Sequence, residues 1–352
     1  MIRVDIVCPT GGLRGGVENV IKKWIKYIDH DKYDLRIFHC HEGLAYLEGY
    51  PKAYCVNKPF EVANRDYLEE AYTSFVQQMG APDICIATNW PMMVLACANV
   101  KSRLNLSEMV LVSWIHNKIS IYEKEGLGGT ADVVTADCHF SISKGISEEI
   151  RMESPDAKIY EIYNPVDLPE AGDVEVDPYQ LCYVGRLEEI KHVELILEAM
   201  SKSFGPWKLK IAGDGDCRNE LKEWIRVYHL EPRVEMLGWC DEPWEEVKDA
   251  SICIFASEYE GFALTSLEAS AQGKTIISTP VNGVIDYIKD GENGYTYPFG
   301  DANALAEILD DLDEGKITIC NPTECRNSVM FFQTQNYFER LIDILNSIYV
   351  KL

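Results

Sequence analysis

Two carboxylates frame a stretch that is otherwise small and apolar. In EYEGFALTSLEASAQGKTIIS, residues 258–278, Glu260 and Glu268 bracket the segment, and a glycine-lysine turn then leads into a β-branched run. A solvated helix face would scatter several charges along such a length, whereas here they are few. A helix opening near Leu264 or Thr265 puts Glu268 about one turn in, where a carboxylate can accept two vicinal hydroxyls, as an acidic residue does for ribose in dinucleotide folds. Glu260 precedes the turn and would reach a ligand separately. The backbone of Gly261, Phe262, Ala263, Leu264 and Thr265 would offer its amides at that helix start. The plain alternative is that one of the two glutamates is a capping or surface acid.

Arg186 and Lys191, in YVGRLEEIKH, follow a strand-like run. A guanidinium fork and a compact ammonium in a strongly acidic half of the chain suit a diphosphate. Basic residues are unfavourable at a helix N-terminus unless an anion is present. GGLRGGVEN, residues 11–19, lies between the first strand and the first helix, where glycines let backbone approach a ligand. Its spacing is not G-x-G-x-x-G, so the dinucleotide fingerprint fails. His116, in SWIHN, ends another strand-like run; taken alone, such a histidine is more often structural. Asp214 and Asp216 in AGDGD read as a turn and not as a metal site.

These residues need elements to hold them. Strand-like runs alternate with helical stretches throughout, which is α/β architecture with parallel sheets. RVDIVCP, LRIFHC, DICIAT, MVLVSWIH, VVTADCHF and KIYEIYN read as strands of a first domain. Val17, Val20, Ile21, Trp24, Ile25 and Ile28 mark an amphipathic helix between the first two. The proline- and acid-rich segment 164–179 reads as a connection. LCYVGR, WKLKIAGDGD, RVEMLGW, SICIFAS, KTIIST and NGYTY then build a second parallel sheet, and MFFQTQNYFERLIDILNSIYV reads as a closing amphipathic helix. The expected layout is an N-terminal Rossmann-like domain over 1–165, a C-terminal one over 166–328, and a helix over 329–352 packing back towards the first. Two such domains would place a ligand cleft between them.

Bulk properties narrow the function. The net charge is −24, distributed as −5 up to Pro165 and −19 after it. That field repels nucleic acid. No Cys-x-x-Cys pair occurs among the 12 cysteines, and several sit inside strand runs, so free thiols in a reducing cytoplasm are expected. The most apolar run, 84–100, is broken by Asn89 and Pro91 and cannot span a bilayer. The N-terminus lacks the length and charge layout of a signal peptide. Lys22, Lys23 and Lys26 cluster near Trp24, which on so acidic a chain implies at most peripheral contact with the inner face of a membrane.

Taken together, the E-x7-E pair with EGFAL between, GRLEEIK, GGVEN, AGDGD and LGW (residues 237–239) resemble the motifs of the retaining glycosyltransferases of family 4, in the same order along the chain. The resemblance implies the GT-B fold of two Rossmann-like domains. It implies that Arg186 and Lys191 bind the donor diphosphate, Glu268 the ribose hydroxyls and Glu260 the transferred sugar. It further implies that Gly15 and Gly16 bring backbone to phosphate or sugar, that His116 contacts the donor sugar, and that Gly238 and Trp239 lie near the nucleobase. SWIHN, SISKGI, IYNPVD and LGWCDEPW resemble in particular the enzymes that add galactose or another hexose to lipopolysaccharide cores and related surface glycans. The implied reaction is hexosyl transfer from a nucleotide sugar, UDP-linked by that subgroup resemblance, to a glycan or lipid-linked saccharide, with no metal or other cofactor. Alternatives are a sugar-nucleotide epimerase or another nucleotide-sugar enzyme of the same fold, and a nicotinamide-dependent oxidoreductase.

Overall fold

The computed structural model describes residues 1–11, 15–170 and 175–349. Part of the GGLRGGVEN turn (12–14) and part of the 164–179 connection (171–174) therefore lie outside the described residues. The chain divides into two compact units, one of residues 1–165 with 334–352 and one of residues 166–333.

The first unit carries a seven-stranded parallel sheet in the order β3-β2-β1-β4-β5-β6-β7. The strands are β1 Ile2–Cys8, β2 Tyr33–His39, β3 Ala53–Cys55, β4 Ile84–Thr88, β5 Val110–Ile115, β6 Cys138–Ser141 and β7 Ile159–Glu161. Central strands of a parallel sheet are covered on both faces, which is why ICIAT and VLVSWI are continuous apolar runs. The helix Gly16–Tyr27 buries Val20, Ile21 and Trp24. The Trp24 ring lies 5.3 Å from that of Trp114, and its Nε1 donates to the Tyr337 hydroxyl at 3.1 Å. Tyr337 belongs to the helix Thr334–Tyr349, which is also held by a 2.8 Å bond from the Tyr33 hydroxyl to Asn346 Oδ1. Lys23 is not a freely solvated lysine: its ammonium donates to Pro165 O and Thr334 Oγ1, both at 3.3 Å.

The second unit carries a six-stranded parallel sheet in the order β10-β9-β8-β11-β12-β13. Its strands are β8 Asp177–Val184, β9 Lys208–Ala212, β10 Val234–Gly238, β11 Ala250–Phe255, β12 Thr275–Ser278 and β13 Gly294–Thr296. Cys182 and Cys253 are register partners on β8 and β11, and like all the cysteines they are free.

Two of the elements expected from sequence differ in the structure. VVTADCHF is not one strand: Thr130–Val133 is a helical turn, and β6 begins only at Cys138. The β-branched pair suggested extension, but Asp132 Oδ2 accepts from the Gly129 amide at 2.9 Å and fixes a helix start instead. The closing helix also does not run unbroken from Met330. A 3-10 turn, Met330–Phe332, ends at an extended Gln333 that bridges to Val166, and the helix restarts at Thr334.

Each sheet has one point where strand addition reverses direction, between β1 and β4 in the first and between β8 and β11 in the second. In open parallel sheets ligands bind outside the carboxyl ends of the strands at such a point. In the second unit the loops emerging there are residues 185–192 and 256–263.

Candidate active site

Those two loops carry six of the residues singled out by sequence, Arg186 and Lys191 on one and Glu260, Gly261, Phe262 and Ala263 on the other. Glu258 N donates to Ile190 O at 2.9 Å, stitching one loop to the other. Across that stitch the Lys191 ammonium meets Glu260 Oε1 at 2.6 Å, and Ser257 Oγ donates to the same oxygen at 2.8 Å. The two side chains are 15% and 19% exposed, so the pair is shielded without being sealed. Lys191 and Glu260 were assigned separate ligand groups from sequence; the structure brings them into direct contact. Adjacent β8 and β11 deliver them to one place although 69 positions separate them.

Arg186 lies on the same loop but apart from that pair, with a side chain 56% exposed and an ion pair to Glu188 at 2.6 Å. The Tyr183 hydroxyl donates to Arg186 O at 2.8 Å and fixes its backbone. Gly213 of AGDGD is a structural glycine, because a Cβ there would drive into the Gly185 carbonyl oxygen. The Asp214 carboxylate accepts from Arg218 at 3.0 Å, consistent with a turn. Among the described residues no group of three or more His, Cys, Asp or Glu is placed to hold a metal ion.

The helix Leu264–Ala271 starts where expected, and Glu268 sits one turn in and partly accessible. Its cap, Ala263, has φ +51°, a left-handed backbone uncommon for any residue but glycine. Gly261 precedes it, Phe262 is buried, and Leu264 and Thr265 open the first turn. Gly238 ends β10 with φ +77°, its carbonyl accepting from Gly213 N at 2.8 Å, and the neighbouring Trp239 is 52% exposed.

In the first unit, Gly15 caps the helix that Gly16 begins. His116 follows β5 and bonds through Nε2 to Thr88 Oγ1 at 2.8 Å, with its ring 4.4 Å from that of Trp114. Burial of the imidazole pushes its pKa down to about 3, so the ring is neutral near neutrality.

Residues 168–321 match the family model described as glycosyl transferases group 1. The chain is 30% identical over 285 residues to the lipopolysaccharide 1,6-galactosyltransferase of Escherichia coli K12, covering 76% of this chain and 75% of the relative. This chain is a group 1 glycosyl transferase. It is also 31% identical over 254 residues to the Salmonella typhimurium enzyme of the same description, across 67% of each. Among solved structures it superposes on the lipopolysaccharide outer core galactosyltransferase WaaB with a TM-score of 0.83 at 23% identity, over the full length of both. It superposes on HepE of Anabaena, solved with UDP, with a TM-score of 0.79 at 16% identity, over 99% of this chain and 100% of that one. Two parallel-sheet Rossmann-like domains make its fold GT-B.

Three residues of this glycosyl transferase's loops were not singled out by sequence: Ser257, Glu258 and His192. The signal for Ser257 was its position three before Glu260. The other two were masked by sitting beside stronger candidates.

Proposed function

We propose that this glycosyl transferase moves a hexose with retention from a UDP-linked donor to a surface glycan or lipid-linked saccharide. The Lys191–Glu260 pair at the reversal point of the second sheet carries this reading, because it sets an ammonium and a hydroxyl-binding carboxylate one beside the other. Arg186 and Lys191 would take the diphosphate, Glu268 the ribose and Glu260 the transferred sugar. The backbone of Gly261 to Thr265 would face the donor phosphate, and Gly238 and Trp239 the base. In the first unit, Gly15, Gly16 and His116 are assigned donor contacts. A neutral His116 suits a hydrogen bond to a sugar hydroxyl better than a charge role. The E. coli and Salmonella relatives are galactosyltransferases, which favours galactose over glucose or N-acetylhexosamine.

In this reading the acceptor oxygen attacks the anomeric carbon on the face from which UDP departs, and its proton passes to the leaving phosphate oxygen. Glu260 is not a glycosidase-type acid, since a diphosphate needs no protein acid to leave once two cations neutralise it and the acceptor supplies the proton. The same two cations are why the proposed reaction requires no metal or other cofactor. No helix among the described residues is long and apolar enough to cross a membrane. The reading places the reaction at the cytoplasmic side with at most peripheral membrane contact.

Metal-free calorimetry with UDP, GDP, ADP and NAD tests the reading. UDP alone should bind, and Glu268→Ala should weaken it about tenfold, the loss of hydrogen bonds to a charged acceptor. Equal UDP affinity in wild type and variant would sink the ribose assignment; binding of NAD alone would sink the reaction class.

A further inference from the structure

His192 follows Lys191 directly and caps the helix Val193–Lys202 with a left-handed backbone, φ +44°. Side chains other than glycine adopt that conformation rarely, and residues held in it cluster where surrounding structure enforces a functional geometry. The ring supplies the enforcement here. Its Nδ1 lies 2.8 Å from Glu194 Oε1 on the helix it caps, and its Nε2 lies 3.7 Å from Glu258 Oε2 on the facing loop. The Phe299 ring closes one side, edge-on with centroids 5.0 Å apart. His192 thus joins three segments: the helix that follows it, the 256–263 loop, and the turn that carries Lys191.

We propose that His192 is a positioning residue for the Lys191–Glu260 pair. It acts through Glu258, the residue whose amide already holds Ile190 O. Lys191 stands between that backbone stitch and the His192 ring, so its backbone is held on both sides along the chain while Glu260 holds its ammonium. Loss of the ring would leave the Ile190 stitch and the turn's own bonds intact (Lys191 N to Glu188 O at 2.9 Å, His192 N to Glu189 O at 3.0 Å). It would remove the side-chain tie between this turn and the 256–263 loop and so loosen the lysine stem. The ammonium would then meet a diphosphate in many orientations instead of one. Glu258 is half-exposed and Glu194 about one-third exposed, so neither needs this histidine to satisfy a buried charge. That leaves holding geometry as the reason for a strained backbone at this position.

The inference rests on the proposed donor reading, and the test separates the two. Glycine accepts the left-handed backbone without strain, so His192→Gly removes the ring while sparing the fold. Its melting temperature should equal or exceed that of wild type, and UDP affinity should stay within about threefold. Release of UDP from UDP-galactose should slow about tenfold in kcat with little change in KM, the pattern of an interaction made chiefly in the transition state. Glu258→Gln should reproduce the effect, and the double variant should be no slower than the slower single one, because both break one link. Wild-type kcat in His192→Gly, or effects that multiply in the double variant, overturns the inference alone. Failure of the wild type to bind UDP overturns the donor reading and this inference with it.

Discussion

Glu260 is tied by two bonds of different kinds, and that difference separates its structural from its chemical role. Replacing it with glutamine keeps an acceptor for Ser257 but removes the charge facing Lys191, whose side chain is mostly shielded. An ammonium left without its partner in a half-buried site costs about 1–3 kcal/mol, less than in a sealed core because water still reaches it. Glu260→Gln should therefore melt a few degrees lower than wild type. If the carboxylate holds the transferred sugar, transfer should fall about a hundredfold, while UDP affinity rises or holds because Lys191 is released to the diphosphate. A Glu260→Gln enzyme with weaker UDP binding and normal transfer would reassign the residue to the nucleotide. The pairing itself was not legible in the sequence. Spacing located Lys191 and Glu260 individually, but only the adjacency of β8 and β11 brings residues so distant in sequence within 2.6 Å.

Among the elements, the 256–263 loop is shaped by a neighbour that carries no side chain. Gly283 has φ +86°, and a Cβ there would drive into the Phe262 carbonyl. Gly283→Ala combines backbone strain with overpacking, and should cost about 3 kcal/mol. Because the displaced atoms lie between Glu260 and the helix that bears Glu268, UDP binding should fall with stability. Thermal unfolding and calorimetry of the one variant check both, and an undisturbed UDP affinity would mean the loop relaxes elsewhere. The strands that frame this loop were readable because burial on both faces leaves continuous apolar runs such as SICIF and TIIS. The edge strand Ala53–Cys55 was not, although the equally short Ile159–Glu161 and Gly294–Thr296 were: its three residues are only half-buried to exposed and carry no long apolar run. The first residues of VVTADCHF, 133–137, differ for a local reason: Val133, Val134 and Thr135 are β-branched and favour strand, while a single carboxylate on a backbone amide sets the helical turn Thr130–Val133 before them. The break at Gln333 depends on a bridge to Val166, a contact that local sequence does not encode.

On the scale of the whole molecule, three histidines confer a pH dependence, and all three belong to the first unit. Burial pushes His39 and His139 down to about 4 and His116 to about 3, from an ordinary value of 6.5. The unfolded chain takes up protons at these rings below about pH 6.5, while the folded chain leaves them neutral until well below pH 5. Unfolding is then coupled to proton uptake, and stability falls as pH is lowered through that window. The net charge of −24 works in the opposite sense, since acidification relieves self-repulsion. Carboxylates titrate mainly below about pH 4.5, however, so between pH 6.5 and 5 the histidines alone change charge appreciably. Lower still, Asp34 adds to the loss, because its hydrogen bond from Lys52 holds its pKa below the usual carboxylate range and protonation breaks that pair. The melting temperature at fixed ionic strength should therefore drop steadily from pH 7 to pH 5. Calorimetry at pH 5.5 in buffers of different ionisation enthalpy should register net proton uptake on unfolding. A melting temperature that rises over this interval would mean that relief of the acidic field outweighs the three neutral imidazoles.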